Sequence, residues 1–307
     1  MSIIRLMSLL GRSTILLIIG VVAAHGCRPR PAVGDAVGQS GSVTRYITVP
    51  SGGRLYVESR GQGRPVVLIH GGQLDRRMWD REFDALADGY HVIRYDVRGF
   101  GLSPAGADTN FRSSADLGAL LDSLGIARTA IVGLSLGGRI AVDFAIAHPE
   151  RVDRLVLLAP GVSGYPWSAG DTTWTRAMEH AIEARDTAAI TELWLRTTFM
   201  SPAMANPAIA PRVRELSLAN SGAFLRARMG RELEPPAWQR LRELQTPTLV
   251  VVGTSDDPDI RTIVDSIARQ APHARELVVP DAGHMLNMER PELILQAIRD
   301  FLRSAGT

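Results

Sequence analysis

The sequence predicts an α/β fold, with a mostly parallel sheet of eight strands, helices on both faces and an inserted helical segment. Short apolar runs recur along the chain and alternate with helical patterns, which is typical of parallel βα units. This alternation stops between residues 161 and 244 and then resumes. A chain of 307 residues is long enough for one large α/β domain that carries such an insertion.

The first two strands are predicted to form an antiparallel hairpin at one edge of the sheet. Residues 45–49 and 55–59 alternate between polar and apolar, and a glycine-rich turn separates them. The continuous apolar run at residues 65–69 instead suits a strand that is buried on both faces. Five further strands are predicted at residues 91–95, 129–132, 152–159, 248–253 and 276–279.

Helical spacing of apolar residues predicts the elements between these strands. The predicted core helices are residues 78–87, 114–124, 139–145, 260–270 and 292–303. Residues 161–244 are predicted to form a helical cap, in which Trp174, Met178 and Ile182 recur at helical spacing. The loops of this cap are predicted to contain Pro202, Pro207, Pro211, Pro235 and Pro236. The core is then residues 44–160 and 245–307. Most of the aromatic residues and methionines of the cap are expected to pack internally, and the cap is expected to select a mainly apolar substrate. The loop from Gly72 to Met78 is the alternative determinant of selectivity.

The composition is that of a soluble globular protein, with 45% hydrophobic and 21% charged residues. The chain contains no lysine, and its 34 arginines are balanced by 32 acidic residues, which gives a formal net charge of +2. Arginines spread among acidic residues are typical of a solvated surface, so no nucleic-acid partner is expected. The single cysteine excludes an internal disulfide and a thiolate metal cluster.

The first 26 residues have the order of a secretory signal peptide. A segment with two arginines precedes an apolar run at residues 14–24, and small residues precede Cys27. The run is short for a membrane span, so a permanent transmembrane anchor is the weaker alternative. The arrangement resembles a bacterial lipoprotein signal, which implies acylation of Cys27 and attachment to the cell envelope. A soluble periplasmic or secreted enzyme is the other possibility. Residues 27–43 are predicted to be a flexible tether.

The stretch Gly133-Leu134-Ser135-Leu136-Gly137 follows a predicted strand and precedes a predicted helix. In that context the pattern G-x-S-x-G indicates a sharp turn that exposes a nucleophilic serine above the sheet. A glycine-rich turn with an uninvolved serine is the alternative interpretation. Ser135 is therefore a candidate nucleophile that needs a base and an orienting acid.

Both partners are present after the inserted segment. His284 lies in a loop directly after a predicted strand, and Asp256 lies in the loop after the preceding strand. The carboxyl ends of parallel strands meet at one edge, so both side chains are expected near Ser135. Asp257 and Asp259 are alternatives to Asp256 as the orienting acid, although Asp259 is also suited to cap the helix that begins at residue 260.

These motifs resemble those of the α/β-hydrolase superfamily, in particular its branch of esterases, enol-lactonases and cofactor-free haloperoxidases. The resemblance covers about residues 45 to 304. It rests on the motifs Val-Leu-Ile-His-Gly-Gly at 67–72, Asp96-x-Arg98-Gly99-x-Gly101-x-Ser103, Gly133-x-Ser135-x-Gly137-Gly138, Gly253-x-x-Asp256 and Ala282-Gly283-His284.

The resemblance implies an eight-stranded α/β-hydrolase fold and a serine hydrolase that uses no metal and no cofactor. It also implies that the backbone N–H groups of Gly72 and Leu136 bind the oxyanion, and that His70 shapes the adjacent loop. The expected substrate is a small carboxylic ester or lactone. A thioester, a perhydrolase substrate or a carbon–carbon bond cleaved by the same triad is the alternative, and a ligand-binding module without activity is a further one.

Overall fold

The computed structural model describes residues 36–37, 41–108, 110–226 and 230–304. The predicted signal peptide and Cys27 lie outside these residues. One sheet holds all the described strands. The strands are β1 Ala36–Val37, β2 Val43–Thr48, β3 Arg54–Arg60, β4 Pro65–Ile69, β5 His91–Tyr95, β6 Thr129–Leu134, β7 Val152–Leu158, β8 Thr248–Gly253 and β9 Ala274–Val279.

The strand order is β1-β2-β3-β5-β4-β6-β7-β8-β9. Pairing is antiparallel from β1 through β2 and β3 to β5, and parallel from β5 to β9. The predicted fold class and its eight strands, β2 to β9, are confirmed. The two-residue strand β1 was not predicted, because its residues fall in the segment interpreted as a tether. It pairs with Val43 and Thr44, where it covers backbone groups that an edge strand leaves open.

Burial explains why the central strands have continuous apolar sequences. Every residue of β6 and of β8 is buried. Successive side chains of a strand point to opposite faces, so both faces of the sheet are covered here. The helices of the core are α1 Asp80–Leu86, α2 Ser113–Ser123, α3 Leu136–Ala147, α9 Pro258–Gln270, α10 Leu286–Glu289 and α11 Pro291–Arg303. The helices between β7 and β8 are α4 Thr172–Glu183, α5 Thr187–Leu195, α6 Ser201–Ala205, α7 Ala210–Ala219 and α8 Ala223–Arg226.

The segment between β7 and β8 contains α4 to α8 and has a small apolar cluster of its own, formed by Met178, Ala181, Ile190 and Phe224. The sequence interpretation assigned Pro202 and Pro211 to loops, and this is wrong. Both lie in the first turn of a helix, α6 or α7. Proline is tolerated there because the first N–H groups of a helix have no acceptor within the helix.

The part of the chain that the structure describes also contains four short 3₁₀ helices, at Arg76–Trp79, Pro149–Arg151, Ala237–Gln239 and Leu241–Glu243. The first of them follows β4 and leads directly into α1. Over the ranges that the structure describes, no helix combines the length and the apolar character that crossing a membrane requires.

Candidate active site

Ser135 lies in the sharp turn between β6 and α3. Its backbone has φ 53° and ψ −109°, a conformation that residues other than glycine seldom adopt. A Cβ atom on Gly133 would lie 2.5 Å from the carbonyl oxygen of Gly137, and a Cβ atom on Gly137 would overlap the carbonyl group of Ile69. The strained turn therefore requires glycine at both positions, as the motif predicts.

Asp256 and His284 form a buried pair. His284 Nδ1 lies 3.0 Å and 3.1 Å from the two carboxylate oxygens of Asp256. Asp256 is 4% exposed and His284 is 2% exposed. A carboxylate only accepts hydrogen bonds, so Nδ1 carries a proton and donates it, and Nε2 has the free electron pair of a base. The two loops are also joined directly, because the Ser255 N–H donates to the Ala282 carbonyl at 2.9 Å.

Ser135 lies at the same edge of the sheet as this pair. It follows β6, whereas Asp256 follows β8 and His284 follows β9, and β6 to β9 are adjacent and parallel. Within the described residues, the hydrogen bonds of the His284 ring are those to Asp256, and Ser135 Oγ is not one of its partners. In free enzymes the contact between nucleophile and base is often long and shortens when substrate binds.

The two alternative carboxylates have other partners. Asp257 is the N-cap of α9 and accepts from the Asp259 N–H at 2.9 Å. Asp259 accepts from the Tyr165 hydroxyl at 3.0 Å and from Ser168 N–H at 2.8 Å, so it joins α9 to the segment before α4. The helix begins at Pro258 and not at residue 260, so its N-cap is Asp257. The expectation that Asp259 caps this helix is therefore wrong. Of the three carboxylates, only Asp256 contacts His284.

A glutamate that the sequence interpretation did not consider fixes the loop of the histidine. Glu289 accepts from Gly283 N–H at 2.7 Å and from Met285 N–H at 2.9 Å, and these are the amides on either side of His284. This arrangement differs from a capping box, because the N-cap residue Met285 has no polar side chain and Glu289 follows it by four residues, at the end of α10. No standard sequence pattern therefore indicates this role of Glu289.

The two expected oxyanion donors are the residue that follows Ser135 and a residue of the loop after β4. Leu136 is the first residue of α3, so its N–H has no acceptor within the helix. Gly72 lies in the loop after β4, where an added Cβ would meet no heavy atom within 4 Å. A Cβ on Gly71 would lie 3.7 Å from Ser135 Cβ, and the Gly71 N–H already contacts Met78 Sδ at 3.3 Å. Gly72 thus adjoins open space, and the residue before it lies next to Ser135.

His70 is buried and structural, in agreement with the sequence interpretation. Its Nε2 accepts from the Val97 N–H at 2.9 Å, and its Nδ1 lies 2.7 Å from the carbonyl oxygen of Gly71. These two bonds require the neutral tautomer that carries its proton on Nδ1. Burial lowers the pKa of His70, which favours the same uncharged form. The ring therefore ties the loop after β4 to the loop after β5.

Buried ion pairs strengthen this connection. Asp96 accepts from Arg76 N–H and Nη1, both at 2.9 Å, and from Leu102 N–H at 2.8 Å. Burial acts to raise the pKa of Asp75, but hydrogen bonds from Arg77 and from Asn220 lower it to about 2. Asp75 therefore stays ionised and holds the loop that carries Gly72.

Further along the chain, Arg98 forms a two-pronged ion pair with Asp116 and contacts Ser51. Asp96 and Arg98 therefore hold the loop after β5 in place.

Aromatic rings line the side of the site that faces the inserted segment. The ring of Phe199 lies 5.1 Å from that of His284, and the ring of Trp167 lies 6.1 Å from that of Phe199. The centroid of the Tyr165 ring lies 5.1 Å from that of Trp167 and 4.8 Å from that of Trp238. A Cβ on Gly161, three residues after β7, would be 4.0 Å from the Trp167 ring. We refer to Tyr165, Trp167, Phe199 and Trp238 as the aromatic cluster.

Comparison with known families identifies the chain. A family model described as alpha/beta hydrolase fold matches residues 64–291, which is most of the chain. The protein belongs to the α/β-hydrolase family. This confirms the resemblance drawn from the motifs, and it assigns the chain to the hydrolases.

Three relatives of this hydrolase illustrate the range of the family. A 2-hydroxy-6-oxononadienedioate/2-hydroxy-6-oxononatrienedioate hydrolase of Paraburkholderia phymatum is 29% identical over 85% of this chain and 96% of that protein. The solved structure of a thermophilic esterase from Thermogutta terrifontis has a TM-score of 0.72 and 30% identity, over 85% of this chain and 98% of its own. The enol-lactonase of Burkholderia xenovorans LB400 has a TM-score of 0.69 and 25% identity, over 84% and 100%.

Proposed function

We propose that this hydrolase cleaves a small carboxylic ester or lactone by transferring the acyl group to Ser135. The observation that carries the proposal is the buried Asp256–His284 pair at the same sheet edge as a strained serine. Strain of this kind persists only where the surrounding structure enforces it, and it is common at active sites. The esterase and lactonase relatives support the choice of substrate class.

In the first half of the reaction, Ser135 Oγ attacks the carbonyl carbon of the substrate while its proton moves to His284 Nε2. The carbonyl oxygen becomes an oxyanion, which accepts hydrogen bonds from the N–H groups of Gly72 and Leu136. The bond to the leaving alcohol then breaks, and the alcohol oxygen takes the proton from His284. Asp256 stabilises the imidazolium that forms between these two steps.

In the second half, His284 takes a proton from water and the resulting hydroxide attacks the acyl carbon. The ester bond to Ser135 breaks, the proton returns to Oγ, and the carboxylic acid leaves. A lactone follows the same steps, except that its alcohol stays attached to the acid. The aromatic cluster beside His284 favours an apolar part in the substrate, because aromatic side chains bind apolar groups by excluding water.

Ser135 is expected to react covalently with a fluorophosphonate probe, because such probes trap a serine that a neighbouring histidine activates. The purified protein should be labelled, and mass spectrometry of its peptides should place the label on Ser135. The Ser135→Ala variant should lose the label, whereas the control variant Ser168→Ala should keep it. Labelling that persists in an active preparation of Ser135→Ala would refute the proposed nucleophile.

Hydrolysis of a carbon–carbon bond is the second candidate function. It is favoured by the relative from Paraburkholderia phymatum, whose name describes a hydrolase of 2-hydroxy-6-oxo dienedioates. Turnover assays distinguish the two candidate functions. They compare p-nitrophenyl esters and lactones with a 2-hydroxy-6-oxo-dienoate as substrates. Turnover of the dienoate alone would replace the ester proposal, with the same triad.

We also propose that the protein is exported and attached to the membrane through an acyl group on Cys27. The proposal rests on the sequence of residues 1–27, and its expected result is partition of the mature protein into the detergent phase of a Triton X-114 separation. Cys27→Ser should move the protein to the aqueous phase. Mass spectrometry of the N-terminal peptide supplies the check, since an unmodified mature N-terminus would instead favour a soluble periplasmic or secreted enzyme.

A further inference from the structure

Gln73 is an unusual residue in the loop that carries Gly72. Its φ is 58°, in the left-handed region where glycine is strongly favoured over a residue with a long side chain. The residue is only 4% exposed. Its neighbours are fixed, because Leu74 is buried in the core and the Asp75 carboxylate accepts from Arg77 and Asn220. The surrounding structure therefore holds this conformation in place.

The carboxamide of Gln73 has no hydrogen-bond partner among the described residues, although buried polar groups are nearly always paired. It also differs from the fully enclosed polar atoms that lack a partner, such as the indole nitrogens of Trp79 and Trp194. Neither its oxygen nor its nitrogen is among these fully enclosed atoms, so both keep some accessible surface. An unpaired donor and an unpaired acceptor are thus available to a bound molecule.

The loop that carries Gln73 borders the proposed active site. Gln73 follows Gly72, where an added Cβ would meet nothing within 4 Å, and Gly71 adjoins Ser135 Cβ. Because Gln73 directly follows Gly72, a substrate whose carbonyl oxygen accepts from the Gly72 N–H lies next to this residue. Hydrogen bonds to a substrate oxygen are strongly selective when the protein group otherwise stays unpaired.

We propose that Gln73 is a specificity-determining residue whose carboxamide binds an oxygen atom of the acyl chain, close to the carbonyl group that is attacked. The substrate class is then an ester or lactone with a hydroxyl, ether or carbonyl oxygen at this position. The inference rests on the proposed function and makes it narrower. In this proposal Gln73 binds the oxygen atom of the acyl chain, and the aromatic cluster contacts the apolar remainder of the substrate.

Two p-nitrophenyl esters of nearly equal shape test the proposal. The methoxyacetate differs from the butyrate by one ether oxygen in place of a methylene group. In Gln73→Leu, the ratio of kcat/KM for the methoxyacetate to kcat/KM for the butyrate should fall about tenfold or more below the wild-type ratio. The different intrinsic reactivities of the two esters cancel in this comparison.

Gln73→Gly is the second variant, because glycine adopts the left-handed conformation without strain and therefore retains the fold. Its ratio should fall as in Gln73→Leu, whereas the exposed control Gln245→Leu should keep the wild-type ratio. A ratio within twofold of wild type in both Gln73 variants overturns this inference while the proposed function stands. No turnover of either ester by the wild-type protein, with no probe label on Ser135, overturns both.

Discussion

Asp256→Asn is expected to lower kcat for an ester substrate by about 10³- to 10⁴-fold. The asparagine has nearly the same shape, but its amide is a poor acceptor for the His284 Nδ1–H and favours the tautomer with its proton on Nε2. That tautomer cannot take the proton of Ser135. The loss should appear in kcat with p-nitrophenyl butyrate, because the carboxylate stabilises an imidazolium that exists only during the reaction.

Asp257→Asn provides a matched control one residue away. Asp257 caps α9, and asparagine is an equally good N-cap, so the free energy of unfolding should change by less than about 0.5 kcal/mol. Its kcat should stay within a few-fold of the wild-type value. The opposite pattern, with activity lost in Asp257→Asn and kept in Asp256→Asn, would show that the orienting acid has been assigned to the wrong residue.

The fold was predictable because its main signals are local. The continuous apolar sequences of β4, β6 and β8 reflect burial on both faces, and the hairpin of β2 and β3 alternates because it lies at an edge. The strand β1 escaped prediction because two residues carry no periodicity. Pro202 and Pro211 were misplaced because proline ends a helix in most positions but is accepted in its first turn.

The positions of Ser135, Asp256 and His284 at strand ends also follow from the sequence, since parallel strands end at a common edge. The sequence does not decide which of the three nearby carboxylates, those of Asp256, Asp257 and Asp259, orients His284. Asp257 caps α9, whereas Asp256 and Asp259 are distinguished by the side chains of distant segments that reach them, and this depends on tertiary packing.

The same reason explains why Gln73, Glu289 and Asn220 were not identified from the sequence. Glu289 acts on backbone amides, and Asn220 joins α7 to Asp75 across 145 residues of chain. The conformation of Gln73 is visible only in the backbone angles. Residues that position or select a substrate have few sequence signals, because their roles come from contacts between segments distant in the chain.

The buried acid Glu82 is expected to make the stability of the protein depend on pH. Glu82 in α1 is fully buried, and its Oε2 lies 3.4 Å from Nδ2 of Asn287, three residues after His284. Glu82 Oε1 and Asn287 Oδ1 are enclosed acceptors without a partner among the described residues. A proton on Glu82 supplies a donor for such an acceptor. Burial raises the pKa of Glu82 from 4.5 to about 7, which agrees with a group that is most stable when neutral.

Between these two pKa values the folded protein holds a proton that the unfolded chain has released, so stability should decrease as pH rises from 4.5 to 7. A shift of this size corresponds to about 3 kcal/mol, lost by pH 7 and constant above it.

Glu82→Gln keeps the shape of the neutral acid and cannot ionise. Above pH 7 it should therefore be more stable than the wild type by up to about 3 kcal/mol, whereas at pH 4.5 the two proteins should be alike. Urea unfolding across this pH range measures the difference, and other titrating groups such as Asp143 cancel because both proteins contain them. The control Glu276→Gln, on the exposed strand β9, should follow the wild-type curve. Parallel curves for Glu82→Gln and the wild type would mean that Glu82 ionises equally easily in the folded and unfolded states.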